Sequence, residues 1–218
     1  MAFTTGLLGS VITWIVYLRV EVNEISETIN TLSSIERIPN PLMKAQGQKA
    51  YSEFQYTLAS IKRNEVEIDN ESDMMSLYYA IFEDEQPGGT IDATSLVSIP
   101  KVWERARGNR ALEANERALQ NGIKIRRTFI FESEEIKNAS LKYLQKQAAM
   151  GIEVYVVMTD VLDQDLRRDF VITSSNTVLE FITDSEGGLA QAKLIGNSEK
   201  VGLYRKRMEE ILAAADKQ

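Results

Sequence analysis

Arginine is the residue type in this chain best suited to bind an anion, because its planar guanidinium group matches the geometry of phosphate and carboxylate groups. Five arginines are concentrated in the middle of the chain: Arg105, Arg107, Arg110, Arg126 and Arg127. If these residues converge with Arg167 or Arg168, they would form an anion pocket. The candidate ligand-binding residues are therefore Arg126, Arg127, Arg167 and Arg168. The alternative is that the arginines form ion pairs with Glu104, Glu113 and Glu116 on neighbouring helical turns.

Carboxylates form a second group with possible chemistry. Glu132, Glu134 and Glu135 are close in sequence, and with Asp160 they could bind Mg²⁺ or Ca²⁺. Acidic residues at the start of a helix are explained better by the favourable helix dipole. A second acidic stretch, which includes Asp160, Asp163, Asp165 and Asp169, is typical of an exposed loop. We therefore predict no metal site.

The chain of 218 residues contains no histidine and no cysteine. Ordinary zinc sites and Ser-His triads are thereby excluded, since both need these residue types. The turns Pro87-Gly88-Gly89 and Gly187-Gly188 lack the spacing of a phosphate-binding loop. The residues predict no catalytic group and no cofactor, so the chain is expected not to be an enzyme.

The first eighteen residues, Met1 to Leu18, carry no charged side chain. A helix of that length rises about 27 Å, which is close to the lower limit for crossing a membrane. Arg19 and the later Lys and Arg residues follow this segment, and none precedes it, which places the rest of the chain in the cytoplasm. We predict a single-pass membrane protein with a cytoplasmic C-terminal domain; the alternative is a soluble protein whose apolar helix is buried in an assembly.

Beyond the apolar segment, Val22, Ile25, Ile29 and Leu32 follow alternating steps of three and four residues, as in a coiled coil. This stripe predicts a helical stalk that forms a homo-oligomer, unless it packs against its own domain. Pro39-Asn40-Pro41 then interrupts the helix. Apolar stripes predict two further core-packing helices: Tyr51, Phe54, Leu58 and Ile61 on the first, and Met74, Leu77, Tyr78, Ile81 and Phe82 on the second.

The net charge of the chain indicates which classes of partner it can bind. The formal net charge is −7, which argues against nucleic acid because phosphates require a basic binding surface. The predicted partners are thus a membrane, bound through the N-terminal helix, and other copies of the chain, with no nucleic acid. A protein partner or a small anionic ligand stays unidentified.

From about Gly89 onward, strand patterns alternate with helix patterns. The predicted strands are Gly89 to Ser98, Ile123 to Phe131, Ile152 to Met158, Phe170 to Ile172 and Val178 to Ile182. The predicted helices are Arg110 to Asn121, Glu134 to Met150 and Glu199 to Ala215, with Gly122 and Gly151 as C-terminal caps and Ser133 as an N-cap. This order predicts an α/β fold with a mixed, largely parallel sheet.

Several segments in this order resemble a phospholipase D-like domain of the single-copy, degenerate type. They are IDATSL, Trp103, ALEANERALQNGIKIRRTFIF, LQKQAAMGIEVYVVM, RRDFVITSSNTVLEF and EKVGLYRKRMEEILAAA. The resemblance extends from Thr90 to Ala215 and implies an α/β layered domain. The chain then divides into an anchor helix (1–20), a helical stalk (21–38), a helical region (39–86) and a phospholipase D-like domain (87–218).

The resemblance also implies which chemistry is missing. The family uses a His-x-Lys-x4-Asp motif, in which histidine attacks phosphorus and lysine stabilises the phosphate charge. In this chain Arg167 stands in the place of the histidine and Asp169 in the place of the lysine. Arginine is not a nucleophile at neutral pH, and aspartate reverses the charge. We expect a non-enzymatic, membrane-anchored protein whose domain serves interaction or ligand sensing; the alternative is a soluble homo-oligomeric regulator or scaffold.

Overall fold

A computed structural model describes residues 30–98, 106–184 and 188–218, and it divides the chain into two compact units, Met1–Ala59 and Ser60–Gln218. In the first unit, residues 30–36 are helical, and helix α1 (Pro41–Lys62) begins in this unit. The side chain of Asn40 accepts hydrogen bonds from the backbone amides of Leu42 (2.9 Å) and Met43 (3.2 Å). Asn40 is thus the N-cap and Pro41 the first residue of the helix, which is the position where proline needs no amide partner.

The apolar face predicted for α1 is not a core face in the structure. Phe54 is 56% exposed and Ile61 is 53% exposed, and Ser60 is the buried residue of this helix. Both side chains are therefore largely exposed among the described residues. Periodicity alone identifies an apolar stripe, but it does not supply the surface against which the stripe packs.

The second unit contains an eight-stranded sheet in the order β1-β7-β6-β5-β2-β3-β4-β8. The strands are β1 (Glu65–Ile68), β2 (Thr90–Val97), β3 (Lys124–Phe131), β4 (Glu153–Met158), β5 (Asp169–Thr173), β6 (Val178–Thr183), β7 (Leu189–Ile195) and β8 (Asp216–Lys217). The helices are α2 (Glu71–Asp84), α3 (Ala106–Gln120), α4 (Glu134–Ala149) and α5 (Ser198–Ala214), with short 3₁₀ turns at Thr159–Val161 and Gln164–Leu166. This unit includes β1 and α2, which the sequence placed in a separate helical region.

The mixed α/β architecture is confirmed, but the sheet is less parallel than predicted. Within the described residues, β2, β3 and β4 are parallel, whereas the other pairings are antiparallel. The reason lies in the connections, since only four residues separate β5 from β6 and five separate β6 from β7. Such short links join antiparallel neighbours, while a parallel pair needs a crossover of a dozen residues or more.

The sheet separates two apolar clusters. Ile125, Phe129 and Phe131 of β3 belong to the larger cluster, together with residues of α2, α3 and α4. Ile130, between two of them, belongs to the other cluster, which is formed with α5. Because successive side chains of a strand point to opposite faces, the strands β2 to β7 supply residues to both clusters. The positive φ of Gly122 (79°), after α3, returns the chain to the sheet and matches the predicted C-terminal cap.

The predicted membrane anchor lies outside the described residues, as does the first half of the predicted stalk, residues 21–29. Among the residues that the structure describes, no helix combines the length and the apolar character needed to cross a membrane. Leu32, the described member of the stalk stripe, is 41% exposed.

Candidate ligand-binding site

Arg126 and Asp92 form a bidentate ion pair between the adjacent strands β3 and β2. The two residues are opposite each other in the parallel register of β2 and β3. Arg126 donates from Nε to Asp92 Oδ1 (2.6 Å) and from Nη2 to Asp92 Oδ2 (2.7 Å). The side chain of Asp92 is 11% exposed and that of Arg126 is 38% exposed. The hydrogen bond with Asp92 raises the pKa of Arg126, so the guanidinium group is fixed in place and charged.

This ion pair lines an open pocket of about 490 Å³. The remaining lining residues are Thr90, Lys124, Glu153, Ser174 and Arg205. The pocket lies where the parallel strands β2, β3 and β4 begin and where the antiparallel β5 ends, with α5 contributing Arg205. Its volume is within the range of small-molecule sites.

The pocket has an excess of positive charge. Asp92 is paired with Arg126, and Glu153 is paired with Lys217 (3.1 Å), whose hydrogen bond lowers the pKa of Glu153. Lys124 and Arg205 have no carboxylate partner within the described residues. Two uncompensated cations therefore face the pocket, in a chain whose net charge is −7.

Hydrogen bonds hold the wall of the pocket in position. Glu85 is 5% exposed and accepts two bonds from Ser174, one from its backbone amide (2.8 Å) and one from its hydroxyl group (2.7 Å). Arg205 donates from Nη2 to the carbonyl oxygen of Thr173 (2.9 Å) and to Oδ1 of Asn176 (3.0 Å). The end of β5 is thereby fixed to the segment before β2 and to α5.

Arg127 lies on the opposite face of the sheet and is 1% exposed. Its guanidinium group donates to Tyr78 OH (2.9 Å), Gln147 Oε1 (3.2 Å) and Asn115 Oδ1 (3.4 Å), all of them neutral acceptors. Asp169 faces the same region. Although the residue as a whole is partly exposed, burial of its carboxyl group raises its pKa to about 7, while the charge of Arg127 lowers it. The buried cation Arg127 thus lies near Asp169, the residue that the resemblance places at the lysine position of the family's motif.

Arg167 and Arg168 are engaged by nearby groups. Arg167 donates from Nε (3.1 Å) and Nη2 (2.9 Å) to the carbonyl oxygen of Leu162. Arg168 donates from Nη1 to Glu180 Oε1 (2.7 Å) and from Nε to the carbonyl oxygen of Asp165 (3.0 Å). The hydrogen bond with Glu180 raises the pKa of Arg168. Both guanidinium groups are therefore held by the chain itself.

The structure does not bring the four predicted arginines together. Arg126 lines the pocket, Arg127 is buried on the other face, and Arg167 and Arg168 lie near the opposite end of β5. Sequence reasoning missed Lys124 and Arg205. A parallel pairing of the two predicted strands, which places Lys124 beside Thr90, could have indicated Lys124. No sequence signal could have placed Arg205, because its position depends on how α5 packs against the sheet.

The acidic residues considered for a metal site lie on different elements. Glu134 begins α4 and pairs with Lys137 (3.1 Å), whereas Asp160 lies in the 3₁₀ turn after β4. In the described ranges, no group of three or more acidic residues is arranged to hold a metal ion.

No family model and no curated protein matches this chain. Solved structures do resemble it. NucT from Helicobacter pylori is 10% identical, with a TM-score of 0.52 over 71% of this chain and 98% of NucT. TrmBL2, an archaeal chromatin protein whose structure shows a mode of DNA binding, is 12% identical, with a TM-score of 0.47 over 92% of this chain and 69% of TrmBL2. Nuc from Salmonella typhimurium, a phospholipase D family member, is 10% identical, with a TM-score of 0.44 over 66% of this chain and 89% of Nuc.

The likeness to NucT shows a common fold, and the phospholipase D-like fold is supported at that level. The prediction that nucleic acid is excluded as a partner is wrong, since a DNA-binding chromatin protein is among the similar structures. The predicted membrane contact concerns residues 1–20, which lie outside the described residues; among the described residues, no helix is suited to cross a membrane. The exclusion rested on the net charge, which is a sum over the whole chain and does not describe local clusters such as Lys124, Arg126 and Arg205.

Proposed function

We propose that this phospholipase D-like domain is not a phosphodiesterase and instead serves to recognise a ligand or a partner. The observation that carries the proposal is the state of Arg167 and Asp169, the residues in the places of the motif's histidine and lysine. Arg167 donates from Nε and Nη2 to one carbonyl oxygen, and Asp169 is a buried acid beside Arg127. Neither residue offers the chemistry that phosphodiester hydrolysis requires.

The chemical argument concerns the nucleophile first. The motif's histidine attacks phosphorus, and this chain has no histidine at any position. A guanidinium group stays protonated at neutral pH and has no free electron pair for attack. At the lysine position, a carboxyl group with a pKa of about 7 is neutral or negative near neutral pH, so it supplies no positive charge to a phosphate and repels it when ionised.

The predicted membrane anchor and cytoplasmic location stay predictions, since residues 1–20 lie outside the described part of the chain. The proposed role of the domain does not depend on them. Its contacts come from residues 60–98, 106–184 and 188–218.

The proposal is tested by assaying the purified full chain for hydrolysis of bis(4-nitrophenyl) phosphate and of single-stranded and double-stranded DNA. We expect no turnover above the buffer rate. Turnover that co-purifies with the protein, and that Asp169→Asn or Glu180→Gln abolishes while Asp163→Asn does not, would overturn the proposal. Asp163 is the matched control because it is an exposed acid in the same stretch of chain.

A further inference from the structure

We propose that the pocket at the start of β2, β3 and β4 binds a small ligand through a dianionic phosphate group, with Lys124 and Arg205 as its main contacts. This inference rests on the proposed recognition role and names the class of ligand. The pocket is about 490 Å³ in volume, and all of its lining residues belong to the unit Ser60–Gln218.

The charge balance of the pocket favours an anion. Each of its carboxylates already has a cationic partner: Asp92 is bound by Arg126, and Glu153 by Lys217. A metal ion or an organic cation would have to compete with these partners. Lys124 and Arg205, by contrast, have no carboxylate partner among the described residues. A ligand with two negative charges would balance the two cations, and phosphate is the common biological group that carries them near neutral pH.

The two arginines of the pocket are held in place before a ligand arrives. Nη2 of Arg205 is bonded to Thr173 and Asn176, which orients the guanidinium group and leaves its Nε and Nη1 atoms for a ligand. The two hydrogen bonds with Asp92 hold Arg126 in the same manner. Donors that are already ordered lose less entropy when a ligand binds.

The pocket is distinct from the place of the family's motif. Asp169 begins β5, whereas Ser174 follows its end, so about 17 Å of extended chain separates the two residues. The faces also differ, because Arg126 lines the pocket on the α5 side while Arg127, near Asp169, is buried on the other side. The proposed site is therefore separate from Asp169 and lies on the opposite face of the sheet.

The experiment measures binding of inorganic phosphate and of phenyl phosphate to the full chain by titration calorimetry at pH 8 in chloride buffer. The variants are Lys124→Gln and Arg205→Gln, and Lys142→Gln is the matched control because Lys142 is an exposed lysine on α4. We expect saturable binding to the wild type. Each pocket variant should weaken it about tenfold or more, as for the loss of one charge-assisted hydrogen bond, and the control should leave it unchanged.

Arg205→Gln also removes the hydrogen bonds of Arg205 to Thr173 and Asn176, so two comparisons separate the loss of charge from a loss of structure. Lys124 is exposed at the start of β3, so Lys124→Gln should unfold at the wild-type temperature and still bind phosphate weakly. Arg205→Lys should bind more tightly than Arg205→Gln because it keeps the charge. No saturable binding of either probe to the wild type, or equal affinities of Lys124→Gln and Lys142→Gln, would overturn the inference while leaving the non-catalytic role intact. Hydrolysis in the assay described above would instead overturn that role.

Discussion

Arg126 and Arg127 are consecutive in the chain, yet their guanidinium groups lie on opposite faces of the sheet. Arg126 is partly exposed and pairs with Asp92 at the pocket, whereas Arg127 is 1% exposed and donates to Tyr78, Gln147 and Asn115. The alternation of a β-strand makes this separation unavoidable. Two residues that look like one basic patch in the sequence therefore have different roles, one at a pocket and one inside the domain.

Arg127→Gln should strongly destabilise the domain. The substitution removes three hydrogen bonds to buried acceptors and the positive charge that lowers the pKa of Asp169. Leaving a buried neutral acceptor without its donor costs about 1–3 kcal/mol of unfolding free energy for each group. Urea denaturation measures the change, and Arg110→Gln, at an exposed position of α3, should stay within about 0.5 kcal/mol of wild type. Equal midpoints for the two variants would contradict the structural role of Arg127.

Asp169 should make stability depend on pH. Its pKa is about 7 in the folded state, against about 3.9 for an unfolded aspartate, so between these values the unfolded chain binds fewer protons. The free energy of unfolding should therefore fall as the pH rises from about 4 to about 7, by at most about 1.4 kcal/mol per unit. The contribution of Asp169 is fully present below pH 4 and is lost above pH 7.

Asp169→Asn isolates this contribution, because asparagine resembles the protonated acid and does not titrate. Relative to wild type, the variant should be more stable at pH 8 than at pH 5, as measured by urea denaturation at both values. Asp163→Asn, at an exposed position, corrects for the general effect of removing one carboxylate. If the free energy of unfolding changes between pH 5 and pH 8 by the same amount in the wild type and in Asp169→Asn, the raised pKa of Asp169 is refuted.

The apolar, β-branched runs of β2, β3 and β4 made the centre of the sheet predictable from sequence. The edge strand β1 and its neighbour β7 were not predictable: β1 has only four residues and two of them are glutamates, and β7 contains Gln191 and Lys193. These strands form because β7 pairs with both β6 and β1, a non-local effect that no local pattern shows. The same limit applies to the pocket, where Arg126 was identified by its type but Arg205 is brought in by helix packing.

Thr94 joins two strands through its hydroxyl group. It is 1% exposed, donates to the carbonyl oxygen of Arg168 (2.7 Å) and accepts from the amide of Phe170 (2.9 Å). Thr94→Val keeps the shape but leaves both backbone groups without this partner, which should cost about 1–3 kcal/mol in urea denaturation. Thr94→Ser keeps the hydroxyl group and loses one methyl group, so it should be the milder change. The reverse order of stability would show that packing, and not the hydroxyl bridge, matters at this position.

Gly89 should be essential to the wall of the pocket. A Cβ atom at this position would lie 2.5 Å from Glu85 Oε1, 2.7 Å from Ser174 Oγ and 2.8 Å from the carbonyl oxygen of Gln86, so both side chains and the backbone would have to move. Gly89→Ala should therefore cost about 1–3 kcal/mol, as other overpacking changes do, and should weaken phosphate binding by displacing Ser174. Gly202→Ala is the matched control, since a Cβ atom there meets nothing within 4 Å and alanine favours the helix by about 1 kcal/mol. Thermal unfolding measures the change in stability, and the phosphate titration measures the change in affinity. If Gly89→Ala is as stable as Gly202→Ala and binds phosphate with unchanged affinity, the contact between Glu85 and Ser174 does not shape the pocket.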